Sequence, residues 1–142
     1  MSVDVKYRTQ STATGGRDGH SKNADSALDV KMVTPKALGG PGGDGVNPEQ
    51  LFATGYAACF LGAMKFAAGQ MKLAVPTDTT VTADVGIGPR DDQKGFGLDV
   101  ELRISLPGIE AETADKIIAA AHVVCPYSHA TQGNISVKLT RI

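Results

Sequence analysis

The chain has 142 residues, 42% of them hydrophobic, with 14 basic and 15 acidic side chains and a formal net charge of -1. That length supports a single domain, residues 1–142, whose core is large enough to fold without disulfides or a metal. The near-neutral balance leaves no electrostatic footprint for nucleic acid or an anionic membrane, so neither is expected as a partner.

At the N-terminus, MSVDVKYRTQ has no basic region leading into an apolar stretch. This argues against a secretory signal and for a reducing, cytoplasmic setting, where two cysteines are thiols more often than a staple. VDVKYRTQST alternates apolar and polar residues and reads as a strand; TGGRDGHS follows as a turn, and ALDVKMV alternates again. The two alternating runs are predicted to pair as an antiparallel ribbon bent near Gly15–Gly19, which displays Arg17 on a loop tip. After the glycine-rich TPKALGGPGGDGV, a helix is expected to start at Asn47, with Pro48 in the first position and Gln50 three residues past the cap, and to run to about Gln70.

Gly55, Gly62 and Gly69 recur every seven residues on that helix, a stripe that lets another helix approach closely. Its uncharged stretch, Leu51 to Met64, is shorter than the roughly 20 residues that span a bilayer, so a central, buried helix is expected. TTVTADVGIG and FGLDVELRISL form a second predicted hairpin around PRDDQKG. IEAETADKIIAAAHVV then reads as an amphipathic helix that ends near Cys125, because Pro126 biases the residue before it away from helical geometry. NISVKLTRI is a terminal strand.

Three constellations have chemical potential. Gly40, Gly42 and Gly45 spell GxGxxG before a helix, but they do not directly follow a strand and the neighbouring elements are hairpins, which favours a flexible connection over a nucleotide site. His122, Cys125 and His129 would share a face of one continuous helix and suit zinc, but Pro126 breaks that continuity and no fourth ligand is evident. The third is a redox dithiol of Cys59 and Cys125, against which stands the common role of cysteine as a small buried hydrophobe.

Cys59 lies mid-helix among Phe52, Tyr56, Phe60 and Met64, an apolar setting that raises a thiol pKa and leaves it inert without a cation. Cys125 lies at a helix end, beside chain that can move. Arg17 is one candidate cation and Glu49 a candidate to hold its guanidinium through a bidentate pair. The plain alternatives are a solvated turn residue and a carboxylate that complements the helix dipole. Spacing alone does not join Arg17 to Cys59.

NPEQLFATGYAACF, VVCPYSHATQGNI, and GGRDG followed by ALDVKMVTPKALGG together resemble the organic hydroperoxide resistance proteins, a branch of the OsmC-like superfamily. The resemblance extends from the first strand to the last. It matches the family's reactive pair to Cys59 and Cys125, its arginine in the N-terminal glycine-rich turn to Arg17, and its carboxylate in NPEQ to Glu49. One departure is Gln132, where family members often carry a basic residue on the surface offered to the reductant.

The resemblance implies an α+β fold: two antiparallel hairpins and a terminal strand, in sheets wrapped around a long central helix, within an intertwined homodimer. It also implies a thiol peroxidase that reduces alkyl or fatty-acyl hydroperoxides and is recycled by a dihydrolipoyl dithiol on a lipoylated protein, without metal, haem or flavin. The implied roles are attack by the Cys59 thiolate, charge stabilisation by Arg17 and resolution by Cys125, whose position at a helix C-terminus disfavours thiolate formation. Phe52, Tyr56, Phe60 and Met64 are expected to favour an apolar substrate tail, at about 0.8 kcal/mol per buried methylene. Glu49 and Cys59 stand ten positions apart on one helix, roughly 15 Å along its axis, and cannot touch. Either Arg17 bridges that gap or Glu49 serves the Cys59 of a partner chain.

Overall fold

A computed structural model describes residues 1–142 as a mixed α+β chain with two sheets and a long helix. Contacts within the chain divide it into two compact units, Met1–Leu51 and Phe52–Ile142.

In the first unit, β1 (Ser11–Thr14), β2 (His20–Asn23) and β3 (Asp29–Lys31) form an antiparallel sheet in that order. The bend falls where expected, at Gly15–Gly19, but the hairpin partner of β1 is His20–Asn23 rather than ALDVKMV; Thr14 faces His20, and β3 then pairs with β2. His20–Asn23 carries no apolar alternation, so only pairing reveals it as a strand. The bend depends on Gly19, where an added Cβ would lie 1.7 Å from the Thr14 carbonyl oxygen.

The strand expected over residues 3–12 overlaps the observed one, Ser11–Thr14, only at residues 11 and 12. Val3, Val5 and Tyr7 are exposed, and no strand of the chain pairs with this segment. Alternation prepares a strand but does not form one without an edge to bond to. The end of the segment is pinned by Asn23, whose Nδ2 donates to Thr9 Oγ1, the Gln10 carbonyl and Ser11 Oγ, each at 3.1 Å.

Helix α1 (Pro48–Gln70) opens in the first unit and continues into the second. Asn47 Oδ1 accepts from the Gln50 N–H and Gln50 Oε1 from the Asn47 N–H, both at 2.9 Å, a reciprocal box worth about 0.5–2 kcal/mol. At the other end Lys72 adopts φ 59°, while the Leu73 N–H reaches the Ala68 carbonyl at 2.8 Å and the Lys72 N–H the Gly69 carbonyl at 3.0 Å. These two bonds satisfy carbonyls that the helix end would otherwise leave unpaired.

The 23 residues of α1 are long and apolar enough, by length and composition, to cross a membrane, but Tyr56, Phe60, Ala63, Met64, Ala67 and Ala68 are instead buried within the fold. The opposite face is open in the single chain: Thr54, Ala58, Gly62, Phe66 and Gly69 are exposed. The expectation of a central, buried helix therefore holds on one face only in the single chain. Of the glycine stripe, Gly55 is approached closely by the Tyr127 ring, and nothing lies near Gly62 or Gly69.

The second sheet runs β4 (Thr80–Pro89), β5 (Phe96–Ser105), β6 (Val137–Arg141). β4 and β5 form the expected hairpin, and β6 pairs in parallel with β5, Val100 facing Val137. The required crossover is made by α2 (Ala111–Val124) and a short α3 (Pro126–Thr131). The core joins Tyr56, Phe60 and Met64 of α1 to Val100, Leu102 and Ile104 of β5 and to Ile117 and Ala121 of α2. Each large side chain buried there contributes about 1.5–3 kcal/mol.

Candidate active site

The four expected catalytic residues fall into two pairs, one in each unit. In the second unit the sulfurs of Cys59 and Cys125 lie 3.6 Å apart and both are free thiols. A disulfide bond measures about 2.05 Å, so closure needs the sulfurs to approach by about 1.5 Å.

The surroundings of the two thiols reverse what their helix positions suggested. Cys125 is fully buried and Cys59 only partly so. Mid-helix placement says nothing about which face is covered, and Cys59 occupies an edge of the buried face of α1. Cys125 closes α2 by donating its N–H to the Ala121 carbonyl at 2.9 Å, and its own carbonyl accepts from the His129 N–H at 2.9 Å. It is thus the C-cap of α2 and the N-cap of α3, not the edge of a mobile segment. The missed signal was Pro126: proline stops a helix, but it also favours the first position of a new one.

Burial pushes the Cys59 thiol above its ordinary pKa; the Tyr127 N–H opposes this, and the adjacent Cys125 thiol adds to it. A raised thiol is mostly protonated near neutral pH and weakly nucleophilic, and a nearby cation would favour its thiolate.

Arg17 sits in a 3-10 turn, Gly16–Asp18, and its guanidinium grips Glu49 in bidentate fashion, Nη1 to Oε2 at 2.8 Å and Nη2 to Oε1 at 2.6 Å. The hydrogen bond and charge of Arg17 hold the Glu49 carboxyl below its usual range, and Glu49 raises Arg17 in turn. Thr34 steadies the turn by donating its hydroxyl to Asp18 Oδ1 at 2.7 Å. The guanidinium is therefore anchored rather than free on a loop tip.

Of the residues expected to line an apolar substrate path, Tyr56, Phe60 and Met64 are fully buried and offer no open surface. Phe52 alone is partly accessible, and it borders a groove of about 940 Å³ with Leu98, Phe96, Ile135, Arg90 and Asp92. Neither cysteine lines that groove. The zinc alternative loses its geometry, since His122 Nδ1 is engaged by Ser128 Oγ at 2.9 Å and no three His, Cys, Asp or Glu side chains converge as metal ligands would. Ser128 and Tyr127, which sequence reasoning passed over, both belong to the surroundings of the thiol pair.

Residues 40–140 match the family model of the OsmC-like proteins. The chain is 54% identical over 136 residues to the organic hydroperoxide resistance protein of Xanthomonas axonopodis pv. citri, covering 96% of this chain and 94% of that protein. It is 40% identical over 133 residues to organic hydroperoxide resistance protein OhrB of Bacillus subtilis, covering 94% of this chain and 96% of the relative. Among solved structures, an organic hydroperoxide resistance protein from Elizabethkingia anophelis superposes with a TM-score of 0.90 at 48% identity, covering 98% of each chain. A structure described as a putative organic hydroperoxide resistance protein from Vibrio cholerae, with captopril bound in one of its active sites, reaches a TM-score of 0.91 at 42% identity, covering 99% of this chain and 95% of that one.

Proposed function

This chain belongs to the organic hydroperoxide resistance proteins of the OsmC-like family, and we propose that it is a cysteine-based peroxidase that reduces organic hydroperoxides to alcohols and protects against organic peroxide stress. The observation that carries the reading is the contact of two free thiols at 3.6 Å, one partly exposed and one buried. The exposed member meets substrate, and the buried member is kept from it.

In the proposed cycle the Cys59 thiolate attacks the distal oxygen of the hydroperoxide. The O–O bond breaks, the alkoxide takes a proton and leaves as alcohol, and Cys59 becomes a sulfenic acid. Cys125 then attacks that sulfur, the S–O bond breaks, and its proton leaves with the hydroxyl as water, forming a Cys59–Cys125 disulfide. A dihydrolipoyl dithiol on a lipoylated protein restores both thiols by exchange.

Arg17 has the role of lowering the cost of charge on Cys59 and on the peroxide oxygens, and Glu49 that of fixing the guanidinium through its two hydrogen bonds. The thiol needs such help because burial raises its pKa. Phe52, the partly accessible member, is the apolar flank that favours an alkyl or fatty-acyl tail, and Tyr56, Phe60 and Met64 support it from the core rather than touching substrate.

A homodimer is part of the reading. It is supported by the exposed alternating segment with Val3, Val5 and Tyr7 and by the open face of α1 with Phe66. The lipoylated partner, a cytoplasmic location and the absence of nucleic-acid or membrane partners belong to it as well.

The deciding assay follows consumption of cumene hydroperoxide and hydrogen peroxide, with dihydrolipoamide or glutathione as reductant, in the wild type and Cys59→Ser. Preference for the organic peroxide and the dihydrolipoyl donor, abolished by Cys59→Ser, is expected; turnover that survives the substitution excludes the mechanism.

A further inference from the structure

Helix α3 buries just two residues, Ser128 and Thr131, and both are polar. Pro126, Tyr127, His129 and Ala130 are exposed. A six-residue helix has little stability of its own, so its position depends on what holds those two hydroxyls.

Ser128 Oγ lies 2.8 Å from the Tyr56 hydroxyl on α1 and 2.9 Å from His122 Nδ1 on α2. Thr131 Oγ1 donates to the Ser128 carbonyl at 3.0 Å and stands 3.5 Å from the Tyr56 hydroxyl. In the tautomer whose Nδ1 accepts, Tyr56 donates to Ser128 and Ser128 to His122, a chain in which each group is satisfied. Ser128 thus ties together all three helices of the second unit.

Its position relative to the thiols is the telling point. Tyr56 precedes Cys59 by three residues on α1, and Ser128 follows Cys125 by three residues at the start of α3. Residues three apart on a helix lie on one face. The Tyr56–Ser128 hydrogen bond and the Cys59–Cys125 contact are therefore neighbouring rungs between the same two elements.

We propose that Ser128 is a positioning residue for the thiol pair: through Tyr56 and His122 it holds the α2–α3 junction so that the Cys125 sulfur stays against Cys59, and so sets how readily the two thiols close into a disulfide. The proposal rests on reading the pair as redox-active. Without the Ser128 rung the junction explores more positions, the local concentration of the Cys125 thiol falls, and a Cys59 sulfenic acid waits longer for its partner. During that wait a second hydroperoxide oxidises it to the sulfinic acid, releasing a second alcohol.

The test compares wild type, Ser128→Ala and Tyr56→Phe in two arms. In the first, reduced protein is equilibrated with mixtures of reduced and oxidised dithiothreitol. The two protein thiols give up two electrons and two protons to the reagent's disulfide, and the Cys59–Cys125 disulfide is quantified by alkylation and mass spectrometry. Each variant is expected to lower the equilibrium constant for closure about fivefold, the worth of one net buried hydrogen bond. Amide hydrogen exchange in the β4–β5 hairpin should stay within about twofold of wild type, a separation that general loosening of the fold would not produce.

In the second arm, excess cumene hydroperoxide should convert a larger share of Cys59 to sulfinic acid in the variants. If Ser128→Ala does not fold, Tyr56→Phe, which keeps the ring in place, gives the same readout. A wild-type closure constant in a folded variant, or a matching rise in β4–β5 amide exchange, overturns the proposal. A wild type that consumes no hydroperoxide overturns the peroxidase reading instead, and the dithiothreitol arm still decides the role of Ser128.

Discussion

Removing either partner of the Arg17–Glu49 pair should not cost the same, and the structure gives the sign of the difference. The Glu49 side chain is 12% exposed and that of Arg17 38%. Arg17→Ala leaves a mostly buried carboxylate without its two short hydrogen bonds, whereas Glu49→Gln leaves a guanidinium that water can reach. Exposed ion pairs contribute about 0.2–1 kcal/mol and breaking fully buried ones costs about 3–5, so a pair half screened by solvent falls between. We expect about 2 kcal/mol lost for Arg17→Ala, about 1 for Glu49→Gln, and a coupling near 1 in the double-mutant cycle.

The order should also depend on pH. Glu49 has its folded pKa depressed, so its contribution is full above the ordinary glutamate value, about pH 4.3, and is lost as pH falls through the lower folded value. Thermal melts at pH 7 and across the acid range, at one fixed protomer concentration, read all of this; each kcal/mol moves the melting temperature by about 2–4 °C. Equal losses for the two single variants at pH 7, or a coupling below about 0.3 kcal/mol, would refute the reasoning.

Three further outcomes are expected. Cys125→Ala should lower the pH midpoint of Cys59 alkylation, because the neighbouring thiol is one of the groups that raise it; an unchanged or higher midpoint counts against that cause. Lys72→Gly should stabilise the protein by about 0.5–1 kcal/mol, by relieving a side chain held at φ 59° where α1 ends, and a denaturant titration showing a loss would contradict the assignment of strain there. Gly19→Ala should cost at least about 2 kcal/mol, since its Cβ would lie 1.7 Å from the Thr14 oxygen, and it should also abolish the Arg17–Glu49 coupling; an intact coupling would show that the turn tolerates the methyl group.

The elements legible in the sequence were those whose signals are local. Asn47, Pro48 and Gln50 announced the start of α1, and ten-residue alternation on either side of PRDDQKG announced the β4–β5 hairpin. What was not legible depended on partners distant in sequence. His20–Asn23 becomes a strand only because β1 and β3 flank it. Residues 3–8 carry the alternation without a strand partner in the chain.

At the site, the sequence singled out both cysteines and the Arg17–Glu49 pairing, but not which thiol is covered. Cys125 is buried in the core that Tyr56, Phe60 and Ala121 share, and what anchors the adjoining α3 is Ser128 and Thr131 rather than the apolar residues that pattern reading looks for.

The parallel pairing of β6 with β5 imposes an order on assembly. The β4–β5 hairpin needs only local contacts, but Val100 meets Val137 across 37 positions (137 − 100), a loop that contains both α2 and α3. Closing such a loop costs entropy before its contacts repay it, so the hairpin is expected to form early and β6 to join late. Cys125 lies inside that loop. Its approach to Cys59 is therefore predicted to come with the last strand, and during refolding both sulfurs should remain open to alkylation until the sheet is complete. Protection of Cys59 arising well before β6 pairs, in pulsed alkylation alongside hydrogen exchange, would contradict that order.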